Sequence, residues 1–151
     1  MKYSTKVSDA VHILAFITLY PEGTLTSGRI AESIHTNPGF VRQLMSALRK
    51  SGLLFSVQGH PRPALARVPE EITLLDVYRA VEGEKPLLHL DTHTNPECGV
   101  GIHIQLALQD SFDEVQRQSE EAMSRITLRD ILDRYEEKLA QSEKEAKNHF
   151  E

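Results

Sequence analysis

The sequence predicts a mainly α protein with a small β-wing: a winged helix-turn-helix domain followed by a long dimerisation helix. Three observations predict it. Residues 26–67 read as helix, tight turn, second helix and two-stranded ribbon, in the order TSGRIAESIHT, NPGFVRQLMSALRKSG and LLFSVQGHPRPALAR. The second helix of that run is cationic on its polar face. Downstream, an apolar stripe over about 102–125 is longer than a small winged domain can cover, which points to pairing with a second copy.

The second helix is the clearest element. Asn37 is a good N-cap because its side chain can accept from an unpaired N–H of the first turn. Pro38 suits the first helical position, where no N–H is needed, and pushes Asn37 out of the α region. At about 100° per residue, Gly39, Arg42, Gln43, Ser46, Arg49 and Lys50 share an arc of roughly 120°. Phe40, Val41, Leu44, Met45, Ala47 and Leu48 take the other side, and Gly52 stops the helix just past its basic last turn. That polar face holds three cations, an amide able to read a base edge, and no acid. This is the mix a recognition helix needs: cations for phosphate and guanine, Gln for adenine. Taken alone, it is equally an amphipathic helix with a solvated face. The elements on either side favour recognition.

Ser4 or Thr5 can cap the first helix, with Val7, Val11, Leu14 and Ile17 as its apolar stripe and Ala10, Ile13 and Phe16 widening it. Lys2 and Lys6 sit at its start, where a helix N-terminus favours phosphate. Leu19-Tyr20-Pro21-Glu22-Gly23 ends it. Thr26 or Ser27 caps a short helix with Ile30, Ala31 and Ile34 inward, and His35-Thr36 makes the turn. The ribbon has strands at 53–57 and 64–68, and its tip carries His60 and Arg62 between two prolines. Thr73 and Asp76 resemble a capping box with a shortened acid, opening a helix through Val77, Ala80 and Val81 to Gly83. Residues 84–101 read as irregular, with Lys85-Pro86, Asn95-Pro96 and Gly99-Val100-Gly101 as breakers. The long helix follows, with Ile104, Leu108, Phe112, Val115 and Ala122 along one side. Thr127 and Asp130 repeat the cap pattern before a last helix using Ile131, Leu132, Tyr135 and Leu139. Beyond Ala140 the chain is almost all polar, a frayed tail or solvated helix. The divisions expected are 1–83 for DNA binding, 84–101 as linker or sensing loop, and 102–151 for dimerisation.

Length and composition bound the function. A chain of 151 residues buries one good core with an appended element. No apolar run reaches membrane-span length and no signal-peptide core is visible, so a cytoplasmic, non-membrane protein is expected. The single Cys excludes an internal disulfide framework and fits a reducing compartment. The net charge of −5 argues against nucleic acid until its distribution is read. Residues 1–67 carry eight Lys/Arg against three Asp/Glu, a net +5; residues 68–151 carry nine against nineteen, a net −10. A basic front on an acidic back fits a DNA reader joined to an assembly or sensing module.

The words IAESIHTNPGFVRQLMSALRKSGLL and VPEEITLLDVYRAVEG resemble the Rrf-two family of bacterial winged-helix transcription regulators, and NPECGVGIHIQLALQDSFDEVQ with TLRDIL resembles one branch of it. The resemblance spans residues 2 to about 139. It implies a homodimer on a palindromic double-stranded DNA operator, the second helix in the major groove, the wing at the minor groove and the long helix crossing to the partner. Two departures matter. The family's wing is Gly-rich with adjacent glycines, whereas this one reads Gly59-His60-Pro61-Arg62-Pro63-Ala64. Iron–sulfur members carry three cysteines before the long helix, and this chain has only Cys98, too few for a cluster. No cofactor is therefore expected.

The candidate DNA contacts are Lys2, Ser27, Asn37, Pro38, Gly39, Arg42, Gln43, Ser46, Arg49, Lys50, His60 and Arg62. Ile104, Leu108, Phe112 and Val115 are the candidate dimer interface, and Cys98 a candidate redox or nitrosative sensor. His89, His93, Cys98 and His103 are metal-ligand types, but their spacing forces no convergence, so they read as solvated loop residues and no metal site is assigned. The glycines at 99 and 101 lack the third glycine and the strand of a phosphate loop. No nucleophile elbow or HExxH is present, so no enzyme is expected. The reading is a homodimeric, DNA-binding repressor. The alternative is a winged-helix module for protein interaction that no longer binds DNA.

Overall fold

The computed structural model describes residues 3–20, 23–56 and 63–149. Within them the order is α1 (Lys6–Leu19), α2 (Ser27–Ile34), α3 (Pro38–Lys50), β1 (Leu54–Phe55), β2 (Ala64–Leu65), a 3-10 turn (Pro69–Glu71), α4 (Leu74–Glu82), α5 (Gly99–Ser124) and α6 (Leu128–Asn148). The fold is therefore mainly helical with a two-stranded antiparallel wing, as expected.

Thr5 takes the N-cap position of α1 without a side-chain cap bond, its hydroxyl donating to Asp9 instead, whereas the caps of α2 and α3 form as expected. Thr26 accepts from Arg29 N at 3.2 Å and Asn37 Oδ1 from Phe40 N at 2.8 Å. α3 ends in paired backbone bonds, Leu53 N to Leu48 O at 2.9 Å and Gly52 N to Arg49 O at 3.0 Å, with Gly52 at φ +73°. This is the glycine-dependent helix stop in which the two residues past the end satisfy orphan carbonyls. Leu53, tied back to α3, also accepts from Ala66 N at 3.0 Å, and among the described residues the ladder pairs Leu54↔Leu65 and Phe55↔Ala64, shorter than the strands expected at 53–57 and 64–68. The wing tip, with His60 and Arg62, lies outside the described residues, as does Lys2.

One core holds the domain. Ala10, Ile13, Leu14 and Ile17 of α1 meet Ile30 and Ala31 of α2 and Val41, Leu44, Met45 and Leu48 of α3. Leu53, Leu54, Ile72 and Val77 close it. Leu128 and Leu132 belong to the same core, so α6 begins inside the winged-helix unit, on α1 and the 3-10 turn. The junction is hydrogen-bonded: Leu74 N donates to Ile126 O and Leu128 N to Ile72 O, both at 2.8 Å, bridging Thr73 and Thr127. Each of these threonines opens a capping box with the aspartate three residues on, so two helix starts lie side by side.

One expectation needs correction. The long helix starts at Gly99, not near Ile102, and ends at Ser124. Gly99 and Gly101 had been read as breakers. Both fall in the first turn, where N–H groups lack intrahelical partners in any sequence, and the helix accommodates them. Past Ala140 the chain takes the second of the two expected forms, a solvated helix: α6 runs to Asn148, and residues 133–149 are all exposed.

Candidate nucleic-acid interface

α2 and α3 meet through a turn in which His35 takes the left-handed conformation, φ 64° and ψ 48°, while Thr36 N donates to Ala31 O at 2.9 Å. α3 turns Val41, Leu44, Met45 and Leu48 into the core, which leaves Arg42, Gln43, Arg49 and Lys50 exposed and Gly39 and Ser46 half-buried on its outer side. Among the described residues no carboxylate pairs with Arg42, Arg49 or Lys50. Two serines hold the arginines instead. Arg42 Nη1 donates to Ser27 Oγ at 3.3 Å, and Arg49 Nη1 donates to Ser56 Oγ at 3.2 Å. The first bond links the two helices of the motif; the second links α3 to the end of β1.

The sequence-predicted residues thus fall into groups. Arg42, Gln43, Ser46, Arg49 and Lys50 share one outer face of α3. Ser27 lies beside it through Arg42. Asn37 and Pro38 sit at its N-terminus, with Asn37 Oδ1 already committed to the cap. A Cβ built at Gly39 would stand 3.2 Å from that same oxygen, so glycine leaves the cap unobstructed. Sequence reasoning missed Ser56 and the use of Ser27 as a support, because both bonds join separate elements.

It also missed what holds the segment between α4 and α5. Gln116 Oε1 accepts from Leu87 N at 2.9 Å and Gln105 Oε1 from Asp91 N at 3.2 Å. Gln116 Nε2 further donates to Tyr78 Oη at 3.3 Å, and that hydroxyl donates to Lys85 O at 2.6 Å. Eleven residues bring Gln105 and Gln116 to nearly the same helix face, roughly 20° apart at 100° per residue. That spacing was the available signal. The segment is strapped along α5 and ends at Cys98, which occupies the N-cap position of α5, exposed and with no side-chain cap bond.

α5 packs on α4 and contains no buried residue. Ile104 and Val115 are 49% and 45% exposed, Leu108 and Phe112 half-buried, and Val100 and Leu106 stand at 76% and 62%.

A capped recognition helix, a preceding helix at a tight turn and a wing define a winged helix-turn-helix DNA-binding protein. The comparisons give its family. Residues 3–134 match the Rrf2 (Rrf-two) family, described as iron-dependent transcriptional regulators, and the chain belongs to that family. It is 37% identical over 129 residues to YwnA of Bacillus subtilis, named as an HTH-type transcriptional regulator, with 85% of this chain and 96% of that one covered. Among solved structures it is similar to IscR of T. potens, with 29% identity, TM-score 0.63 and coverage of 91% and 90%. The fold also matches CymR, the global cysteine regulator of B. subtilis, at 24% identity and TM-score 0.64, covering 88% and 97%. The chain is accordingly a DNA-binding transcription regulator.

The iron in the family's description finds no fitting donor set among the described residues. There is one cysteine, and among the described residues no group of three His, Cys, Asp or Glu side chains could hold a metal. His103 Nδ1 donates to Gly99 O at 2.6 Å and His93 faces Asp91, so neither turns toward Cys98 as a ligand pair. Among the described residues no helix is long and apolar enough to cross a membrane.

Proposed function

We propose that this protein is a sequence-specific repressor that works in the cytoplasm as a homodimer on a palindromic operator, without catalytic activity. The observation that carries the reading is the outer face of α3. It offers Arg42, Gln43, Arg49 and Lys50 to solvent with no described carboxylate partner, while its inner face is locked into the core. A protein-interaction surface has no need of three uncompensated cations beside an amide, whereas phosphate and base-edge contacts use both. Pairing is supported by α5, whose apolar face its own chain leaves half open: Ile104, Leu108, Phe112 and Val115 are the residues a partner's α5 would cover. Gln43 and Arg42 read bases, Lys50, Arg49, Lys2 and Ser27 hold phosphates, and the minor groove is the proposed target of His60 and Arg62. Cys98 is the proposed redox input, an exposed thiol at the joint between strap and α5. Gel retardation with genomic fragments at modest and raised salt tests the reading. Retention of particular fragments, weakened by salt, is expected; equal retention of all fragments, or none, contradicts it.

A further inference from the structure

Four separated parts of the chain meet in a cleft of about 530 Å³ that the DNA-binding reading does not use. The start of α1, the end of α4, the strap and the last turn of α5 each contribute to it. Tyr3, Val7, Leu87 and Met123 make its walls apolar, and that volume is within the ordinary range for a small-molecule site. Tyr78, which is 5% exposed, braces its floor, bonding to Lys85 O and to Gln116.

Two opposite charges face this apolar space. Glu82 and Lys85 both line it, and among the described residues no ion pair joins them or gives Lys85 another carboxylate. The Glu82 carboxylate instead accepts from Ser4 Oγ, which holds it at the α1 side of the cleft and leaves an oxygen available. A cation and an anion that line one cleft without pairing, with His89 beside them and apolar walls, match a zwitterionic head on an apolar body. We propose that the cleft is a binding site for a free α-amino acid with an apolar side chain. Its carboxylate meets Lys85, its ammonium meets Glu82, and its side chain lies against Val7, Leu87 and Met123. Charge-assisted bonds at both ends discriminate against molecules carrying only one of the charges. The bound molecule also ties the strap to α1, the helix that packs directly on α3.

The test is calorimetric titration of the full chain with L-phenylalanine and L-leucine, alongside 3-phenylpropionate and phenethylamine, which each keep one charge. Saturable binding of at least one amino acid is expected, with both single-charge probes at least tenfold weaker. Glu82→Gln should abolish the preference over 3-phenylpropionate, and Lys85→Met the preference over phenethylamine. Both variants are checked for unchanged thermal melting. Absence of saturable binding, equal binding of the single-charge probes, or unchanged preference in the variants overturns the proposal. DNA retention by the ligand-free protein, measured on the same preparation, reports on the DNA-binding reading separately.

Discussion

Arg42 and Arg49 are each held by a serine hydroxyl from a neighbouring element, Ser27 at 3.3 Å and Ser56 at 3.2 Å. Arginine loses rotamer freedom when it binds, and a partner that partly orders it beforehand lowers that loss. Removal of the head group is the informative change. Arg42→Ala and Gln43→Ala are each expected to weaken operator binding by about 1–3 kcal/mol while leaving random duplex much less affected. Lys50→Ala and Lys2→Ala should weaken operator and random DNA alike and make the salt dependence shallower. Fluorescence anisotropy on both duplexes separates the two patterns, and equal losses on every sequence for all four variants would show that this face reads no bases. Cys98 belongs to the same scale. Mild peroxide or a nitrosothiol is expected to change operator affinity of the wild type and leave Cys98→Ser unaffected. Modification without a change in affinity would place the signal elsewhere. At this scale the sequence was legible wherever the partner is a few residues away. Asn37, Thr26, Thr73 and Thr127 cap helices through bonds spanning three residues, and each was readable from local pattern. Ser27–Arg42 spans fifteen residues across a turn, and no local pattern reports it.

Among the elements, the paired starts of α4 and α6 organise the domain. The Asp130 carboxyl accepts from Thr127 N at 2.9 Å, and Thr127 Oγ1 accepts from Asp130 N at 3.1 Å. The backbone bond from Thr127, then that with its side chain, hold the Asp130 carboxyl below its usual range. A carboxyl depressed in the folded state adds stability that is complete above the unfolded value, about 3.9, and is lost as pH falls through the folded value. Thermal melts of wild type and Asp130→Asn should therefore differ at neutral pH and converge as pH falls through the folded-state value of the carboxyl. A gap that widens on acidification would contradict the cap assignment. Thr127→Ala should cost about 1 kcal/mol in denaturant unfolding, the usual loss for a cap. α5 was legible as a long amphipathic helix, but its start was misplaced because glycines were weighed as breakers without regard to position in the first turn. Its exposed face carries the assembly prediction. Val115→Glu would place an unpaired charge in the proposed interface, which is strongly unfavourable. The variant should be monomeric or aggregated by light scattering and fail to hold the operator. A monomeric wild type at micromolar concentration would overturn the pairing itself.

For the whole molecule, the basic first 67 residues, at +5, are set against an acidic remainder, at −10. Only the first turns of α6 enter the core through Leu128 and Leu132. The rest of the helix, from Asp133, lies in solvent and is nearly balanced in charge, so most of the acidic excess belongs to residues 68–132. Among the described residues no carboxylate pairs with the cations of the α3 face, which is why the overall −5 is a poor guide to its attraction for phosphate. The order of elements was readable from sequence because α2, α3, α4 and α6 each open on a side-chain cap three residues from its partner. The return of α6 to α1, the glutamine-held strap and the cleft beside it were not, since they depend on contacts between segments dozens of residues apart. In the proposed dimer, two copies of α3, held by a shared α5 interface, read two half-sites together. Selection of bound duplexes from a random library measures this most directly. The account predicts enrichment of a single inverted repeat, its half-sites separated by about one helical turn of 10–10.5 base pairs or a multiple of it, and retained less as salt rises. Recovery of sequences with no common repeat, or of a lone half-site bound as tightly as the full one, would contradict it.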